Sequence, residues 1–233
     1  MWLRLLLLMC LLLLPQVSLS QHRSKTPAFL IAQRTAKAQK FAVTALLPLP
    51  GDPVSEAFAI NDSGLVVGKS ALTGFTNTAH PVFWAPGETT PTSLPTLPGD
   101  SAGTAACANN HGDIVGETET AAAVSHAVLW KGGVVIPLAT LPGGTTSIAV
   151  SINHQGQIAG SSNSVGFPMS HAVFWENAAA VPLDLGTLGG DFSAAGAVSN
   201  KNQVVGGSAT ASGDEHAFLW TPGAPTASCR TPK

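Results

Sequence analysis

The sequence predicts an all-β chain made of four copies of one unit of about 45 residues, and three observations predict it. The first is a recurring ending: His80 to Trp84 (HPVFW), His126 to Trp130 (HAVLW), His171 to Trp175 (HAVFW) and His216 to Trp220 (HAFLW). The four tryptophans stand 46, 45 and 45 residues apart, a period that belongs to propellers, solenoids and arrays. The second is a recurring opening, a leucine-glycine turn that starts at Leu49, Leu97, Leu141 and Leu188. The third is local pattern. After the N-terminal apolar stretch, short apolar runs are separated by Gly, Asn and Ser, and no long stretch combines helical periodicity with caps.

Taken in order, the chain starts with a short positive segment (Met1 to Arg4), an apolar core (Leu5 to Leu14) and small residues (Ser18-Leu19-Ser20) before Gln21. This is the pattern of a signal peptide, residues 1–20, cleaved near Ser20, and it implies a secreted or periplasmic protein. The apolar core is shorter than the roughly 20 residues a membrane helix needs, so no transmembrane anchor is expected. Cys10 does not suit a lipoprotein, because Leu7-Leu8-Met9 lacks the small residues such a site uses. Residues 21–40 form a basic leader carrying Arg23, Lys25, Arg34, Lys37 and Lys40, whereas residues 41–233 carry 5 basic and 13 acidic residues. An acidic body without a basic, aromatic-interleaved strip excludes nucleic acid as a partner.

The body, 41–220, holds the four repeats. Their middles read AFAINDSGLVVG from Ala57, ACANNHGDIVG from Ala106, AVSINHQGQIAG from Ala149 and AVSNKNQVVG from Ala197. Asn61, Asn109 and Asn153 recur, followed by Gly64, Gly112 and Gly156; the fourth copy has Ser199 and Asn202 in their places. A glycine exchanged for asparagine marks a turn position with positive φ. Each repeat is expected to give four strands, in the third copy Ile148 to Ile152, Gln157 to Ser161, His171 to Trp175 and Val181 to Leu188. The fourth copy lacks its last strand, since Trp220 leads into a Pro- and Thr-rich tail, 221–233. The stretch Phe41 to Leu49 resembles the missing strand, so a small β-propeller whose last blade is closed by this N-terminal strand is expected. An open stack of sheets, or closure by a second chain, are the alternatives.

The leucine-glycine turn, the AxAINxxGxVVG segment and the closing HAFLW, four times in register over residues 46 to 220, resemble the HAF-family extracellular repeat. The resemblance implies an exported bacterial protein of propeller type. It supplies no catalytic or binding residues.

Repetition decides how the histidines read. Four imidazoles around an axis could hold a cation, but a catalytic or metal-binding residue is needed once, whereas a residue present in every copy serves a need of every copy. His80, His126, His171 and His216 are therefore expected to hydrogen-bond neighbouring turns or hydroxyls, and Trp84, Trp130, Trp175 and Trp220 to pack between sheets. Unique chemistry is sought where the copies disagree, in the loops Ala71 to Ala79, Thr118 to Ser125, Ser162 to Ser170 and Ala209 to Glu215, expected on one rim. These offer Glu119, Asp214 and Glu215 as binding candidates, the last two as a site for Ca²⁺. No nucleophile, metalloprotease or phosphate-loop motif occurs, and no cofactor is expected. Cys107 and Cys229 either pair across a long loop or stay apart, with Cys107 in a strand.

Two function classes fit. One is a non-catalytic binding or scaffolding module for an extracellular glycan, surface polymer or protein. The other is a hydrolase or lyase acting on an extracellular polysaccharide, which requires a pair of rim carboxylates.

Overall fold

The computed structural model describes residues 41–72, 78–165 and 167–223. The expected signal peptide, the basic leader, residues 73–77 of the first rim loop, Cys229 and the tail from residue 224 lie outside them. The described residues form fifteen strands in four antiparallel sheets, each a meander in which chain neighbours pair. The first sheet comprises β1 (Val54–Ile60), β2 (Val66–Ala71), β3 (Ala79–Trp84) and β4 (Thr92–Ser93). The second comprises β5 (Asp100–Ala108), β6 (Ile114–Thr120), β7 (Ser125–Lys131) and β8 (Val134–Pro137). The third comprises β9 (Ser147–Ile152), β10 (Ile158–Ser164), β11 (Phe167–Trp175) and β12 (Leu183–Asp184). The fourth has three strands, β13 (Gly189–Val198), β14 (Val204–Thr210) and β15 (Glu215–Trp220).

Each sheet thus coincides with one repeat. The outermost strand is shorter than the sequence suggests; in the third copy only Leu183–Asp184 pair. Pro182 beside this pair, and Pro91 and Pro95 around β4, have no N–H to extend a ladder, and a short edge resists pairing with other chains.

The first hairpin of each sheet shows how the repeated letters become geometry. Its register shifts at one equivalent place in all four sheets: Ala57/Ala59, Ala105/Cys107, opposite Ala159/Gly160, and Ala195/Ala197. Such a bulge bends the strand and strengthens its twist. Across from it stand Gly68, Gly116, Gly160 and Gly206, where an added methyl would overlap the carbonyl oxygens of Glu56, Thr104, Ile148 and Ala194 respectively. The last glycine of every repeat middle is required by close backbone approach, a role the sequence pattern alone does not reveal.

The core lies between successive sheets. Val67, Leu94, Ala105, Ile114, Val128 and Trp130 join the first two. Val115, Leu129, Ala149, Ile152, Ile158 and Trp175 join the second and third. Ala159, Phe174, Ala195 and Val204, with Trp220 packed against them, join the third and fourth. The three interior tryptophans Trp84, Trp130 and Trp175 are fully buried. Their indole N–H groups donate to the carbonyls of Leu47, Pro95 and Ala139, the segment that opens each unit. A buried indole with its one donor satisfied fixes this segment against the sheet.

Closure by the N-terminal segment is not what the structure contains. Residues 41–49 carry no strand. Instead the Leu47 N–H donates to Thr89, the Leu49 N–H to Ser70 Oγ, and Ser55 Oγ to the Leu46 carbonyl. These bonds, with that of Trp84, hold residues 46–49 on the first sheet, and Pro48 and Pro50 lack the N–H groups a ladder would need. Extensive contacts join the first sheet to the second, the second to the third and the third to the fourth, and among the described residues none of that extent joins the fourth to the first.

Candidate functional site: the asparagine hairpins

Each β-hairpin between the first two strands of a sheet has a tight turn. Gly64, Gly112 and Gly156 adopt φ of +88°, +82° and +82°, and Asn202 adopts 62°. The left-handed conformation is open to glycine and tolerated by asparagine, which accounts for the exchange in the fourth copy. The residue that starts each turn ties it down. Asn61 Oδ1 accepts from the N–H groups of Ser63 and Leu65, Asn109 Oδ1 from His111 and Asp113, Asn153 Oδ1 from Gln157, and Ser199 Oγ from Lys201 and Gln203.

Asparagine performs a second task that serine does not. Asn61 Nδ2 donates to the Asn109 carbonyl (2.8 Å), Asn109 Nδ2 to the Asn153 carbonyl (3.3 Å), and Asn153 Nδ2 to the Ser199 carbonyl (3.0 Å). One side chain caps its own turn and reaches the next, so three asparagines rivet four hairpins into one rim. Ser199, on the last sheet, retains the capping oxygen and has no amide to extend.

The next residues form the outward layer of this rim. The Asp62 N–H donates to Asn110 Oδ1 (2.9 Å), and Asn110 Nδ2 donates to Asp62 Oδ2. Asn110 Nδ2 also meets His154 Nε2 at 3.2 Å, and the His154 N–H donates to Asn200 Oδ1 at 2.9 Å. The His111 and His154 rings stand edge to face, 5.5 Å apart. Beside His154 opens a cavity of 460 Å³ lined by Asp62, Asn109, Asn110, Ile152, Asn153, His154, Val198, Ser199 and Asn200. All four sheets contribute to it. Its only carboxylate is Asp62, so it offers amide and imidazole donors and acceptors in a nearly neutral surrounding.

The recurring histidines serve the opposite ends of the same hairpins. His80 Nδ1 lies 3.1 Å from Asp52, His126 Nδ1 3.0 Å from Asp100 and His171 Nδ1 2.9 Å from Asp184. Asp52 and Asp100 are the aspartates of the leucine-glycine turns, and they also accept from the hydroxyls of Ser70 and Thr118. A nucleophilic triad needs its hydroxyl on the far nitrogen of the histidine; here the hydroxyl donates to the carboxylate, which makes the trio a clamp on the turn. The third copy has Gly144 in the aspartate position, and Asp184 from β12 supplies the carboxylate. His216, in the fourth sheet, is exposed. The aspartates were legible as the fourth letter of the turn, but the sequence did not say that they face the histidines.

The acidic candidates are not brought together. Glu119 is not on a rim loop: it lies in β6, paired with Ala102 and Ser125, and is buried, because β6 runs on to Thr120. Its companion Glu117 is held above the usual carboxylate range by burial, with repulsion from Glu119 adding to it and a hydrogen bond from Ser125 opposing it. Asp214, in the turn before β15, and Glu215, the first residue of β15, are exposed, with Asp214 accepting from Ser212. Among the described residues no group of three His, Cys, Asp or Glu side chains is placed to hold a metal ion. Cys107 is half-buried against the core of the second and third sheets. No described helix is long and apolar enough to cross a membrane.

No protein-family model and no curated protein matches the chain. The functional reading therefore rests on this chain's own geometry, above all on the cavity that four hairpins share.

Proposed function

We propose that this is an exported, non-catalytic repeat protein whose hairpin rim binds a neutral glycan outside the cell, its four sheets serving as blades of the propeller type that the HAF resemblance implies. The observation that carries the reading is the 460 Å³ cavity lined from all four sheets by asparagine, serine and histidine. Side-chain amides donate and accept at once, which matches the hydroxyl groups of a sugar. A single carboxylate gives no strong field for a polyanion or a polycation. Glycoside hydrolysis requires two carboxyl groups on either side of one bond, and this cavity presents Asp62 alone, with its oxygen engaged by Asn110. The asparagine ladder supports binding rather than catalysis in another way: it fixes the spacing of successive hairpins, so a ligand meets a preorganised surface.

Thermal unfolding of the purified chain against neutral oligosaccharides, charged envelope polymers and divalent cations tests the reading. A ligand that binds only the native state at 100 times its Kd adds about 2.7 kcal/mol to stability. Neutral oligosaccharides are expected to raise Tm in a concentration-dependent way, with the rise lost in His154→Ala/Asn200→Ala. No rise with any sugar, or a rise unchanged in that variant, overturns it.

A further inference from the structure

The two ends of the row of sheets expose the same positions that are buried at its three internal junctions. On the fourth sheet Val205 and Leu219 are 45% and 63% exposed. Their counterparts in the repeat are Val67, Val115 and Ala159, and Phe83, Leu129 and Phe174, which pack against the following sheet. On the first sheet Ala57 and Ile60 are exposed, Ile60 by 68%. Their counterparts Ala105, Ala149 and Ala195, and Ala108, Ile152 and Val198, pack against the preceding sheet. One end lacks a following sheet and the other a preceding one, and each is built to the same internal pattern.

The strand edges match in the same way. At each internal junction the fifth residue before the leucine of the leucine-glycine turn lies in the last strand of the preceding sheet: Phe83 pairs with Thr92, Leu129 with Ile136 and Phe174 with Leu183. Two residues on, the N–H groups of Leu94, Leu138 and Leu185 donate to the carbonyls of Pro81, Ala127 and Ala172. In the repeat, Thr44 and Leu46 correspond to the first residue and the donor of each set, and Leu219 and Ala217 to their partners. Among the described residues nothing pairs with the outer edge of β15, and Val43 is fully exposed.

We infer that a second copy of this chain docks head to tail: residues 43–46 of one copy add the fourth strand to β15 of the other, with Leu219 opposite Thr44, while Val205 and Leu219 cover Ala57 and Ile60. The occupant is a second copy because the junction continues one that the chain makes three times within itself, and because residues 46–49 are fastened to their own first sheet by Trp84, Ser55 and Ser70. Such a contact is heterologous, joining unlike ends, so copies close into a ring or extend. Strand addition of this kind also protects an exposed edge. Ser199 sends no amide to the next hairpin, so this junction lacks the asparagine rung and is held by the strand and the apolar pair.

A cysteine pair reads the register directly, since residues directly opposite in antiparallel strands have Cα atoms about 4.5–5.5 Å apart, within disulfide reach. In the full chain with Cys10, Cys107 and Cys229 changed to serine, Thr44→Cys/Leu219→Cys is oxidised and resolved by non-reducing electrophoresis and intact mass. Covalent multimers are expected from the pair and not from either single cysteine. A crosslink within one chain overturns the inference in favour of closure of the chain on itself, and the absence of any crosslink overturns it outright. Independently, light scattering of the wild type is expected to give a mass above that of the monomer, reduced to the monomer by Leu219→Asp, whose exposed position spares the fold. A monomeric wild type at tens of micromolar overturns the proposal.

Discussion

The second and fourth sheets are written in nearly the same letters and live in different surroundings. Trp130 is buried to 2% exposure with its indole N–H on Pro95, whereas Trp220 is half-buried beside Phe174. His126 shares Asp100 with Thr118, whereas His216 is exposed and the corresponding aspartate, Asp191, is exposed as well. The difference follows from the missing fourth strand: Trp130 pairs with Val135 of β8, whereas among the described residues no strand pairs with the free edge of β15. The second sheet has a neighbour on both faces and the fourth, within one chain, on one. In a repeat protein the energy of a side chain belongs to the junction and only partly to the residue, which makes equivalent substitutions unequal.

The widest separation is expected at the tryptophans. Trp130→Ala removes a fully enclosed side chain and its hydrogen bond and is expected to cost about 3–5 kcal/mol. Trp220→Ala, half-buried beside an unpaired strand edge, is expected to cost less than half as much. Urea unfolding of both variants decides it, and equal losses would mean that the fourth sheet is covered as completely as the second.

Glycines separate next. Gly116→Ala would push a methyl into the Thr104 carbonyl and to 3.0 Å from the Trp130 ring, whereas the nearest atom to a methyl at Gly196 is the Val205 carbonyl at 3.6 Å. The first substitution is expected to destabilise by about 1–3 kcal/mol, in line with overpacking of a close-packed site. Gly196→Ala is expected to be neutral or slightly stabilising, because it lowers the freedom of the unfolded chain without a clash. A loss at Gly196 comparable to that at Gly116 would show that close contact does not set the effect.

A smaller contrast lies in the turn clamps. Asp100→Ala strands the Thr118 hydroxyl, whose residue is fully buried, and frees His126, so a loss of about 1–3 kcal/mol is expected. Asp191→Ala touches an exposed side chain and is expected to stay within about 0.5 kcal/mol. Thermal unfolding of the two variants side by side measures the gap.

How much of this was legible depends on the physics behind each letter. Periodicity reports which residues repeat, and so the four units, their hairpins and the positive-φ turns could be read from Asn61, Gly64 and their counterparts. It does not report partners across space. The aspartates facing the histidines come from a turn 25 or more residues earlier, and in the third copy from a different strand, a substitution visible only once Gly144 and Asp184 are placed. Glu119 was misread because a loop was inferred from disagreement between copies, while the ladder of β6 continues through that disagreement. The fate of Phe41 to Leu49 was misread for a related reason: resemblance to an outer strand does not say whether the edge it would complete lies within reach. The shared cavity was missed because its lining residues, Asn110, His154 and Asn200, follow the repeated asparagine and differ from copy to copy.

The smallest effect probes a cost peculiar to a sheet covered on both faces. Glu117 of β6 is raised above the usual carboxylate range chiefly by burial, helped by Glu119. A carboxyl whose folded pKa exceeds its unfolded value binds more protons when folded, so its contribution to stability falls as pH rises from the unfolded value through the folded one. At neutral pH the desolvated side chain therefore opposes folding. Glu117→Gln preserves size and removes the charge. It is expected to raise Tm at pH 7, with the advantage shrinking as the pH is lowered through the titration range of the folded carboxyl and vanishing at and below the unfolded value. The enclosure that lets the second sheet bury Trp130 is the same enclosure that burdens it with Glu117, and two Tm profiles against pH would measure that burden.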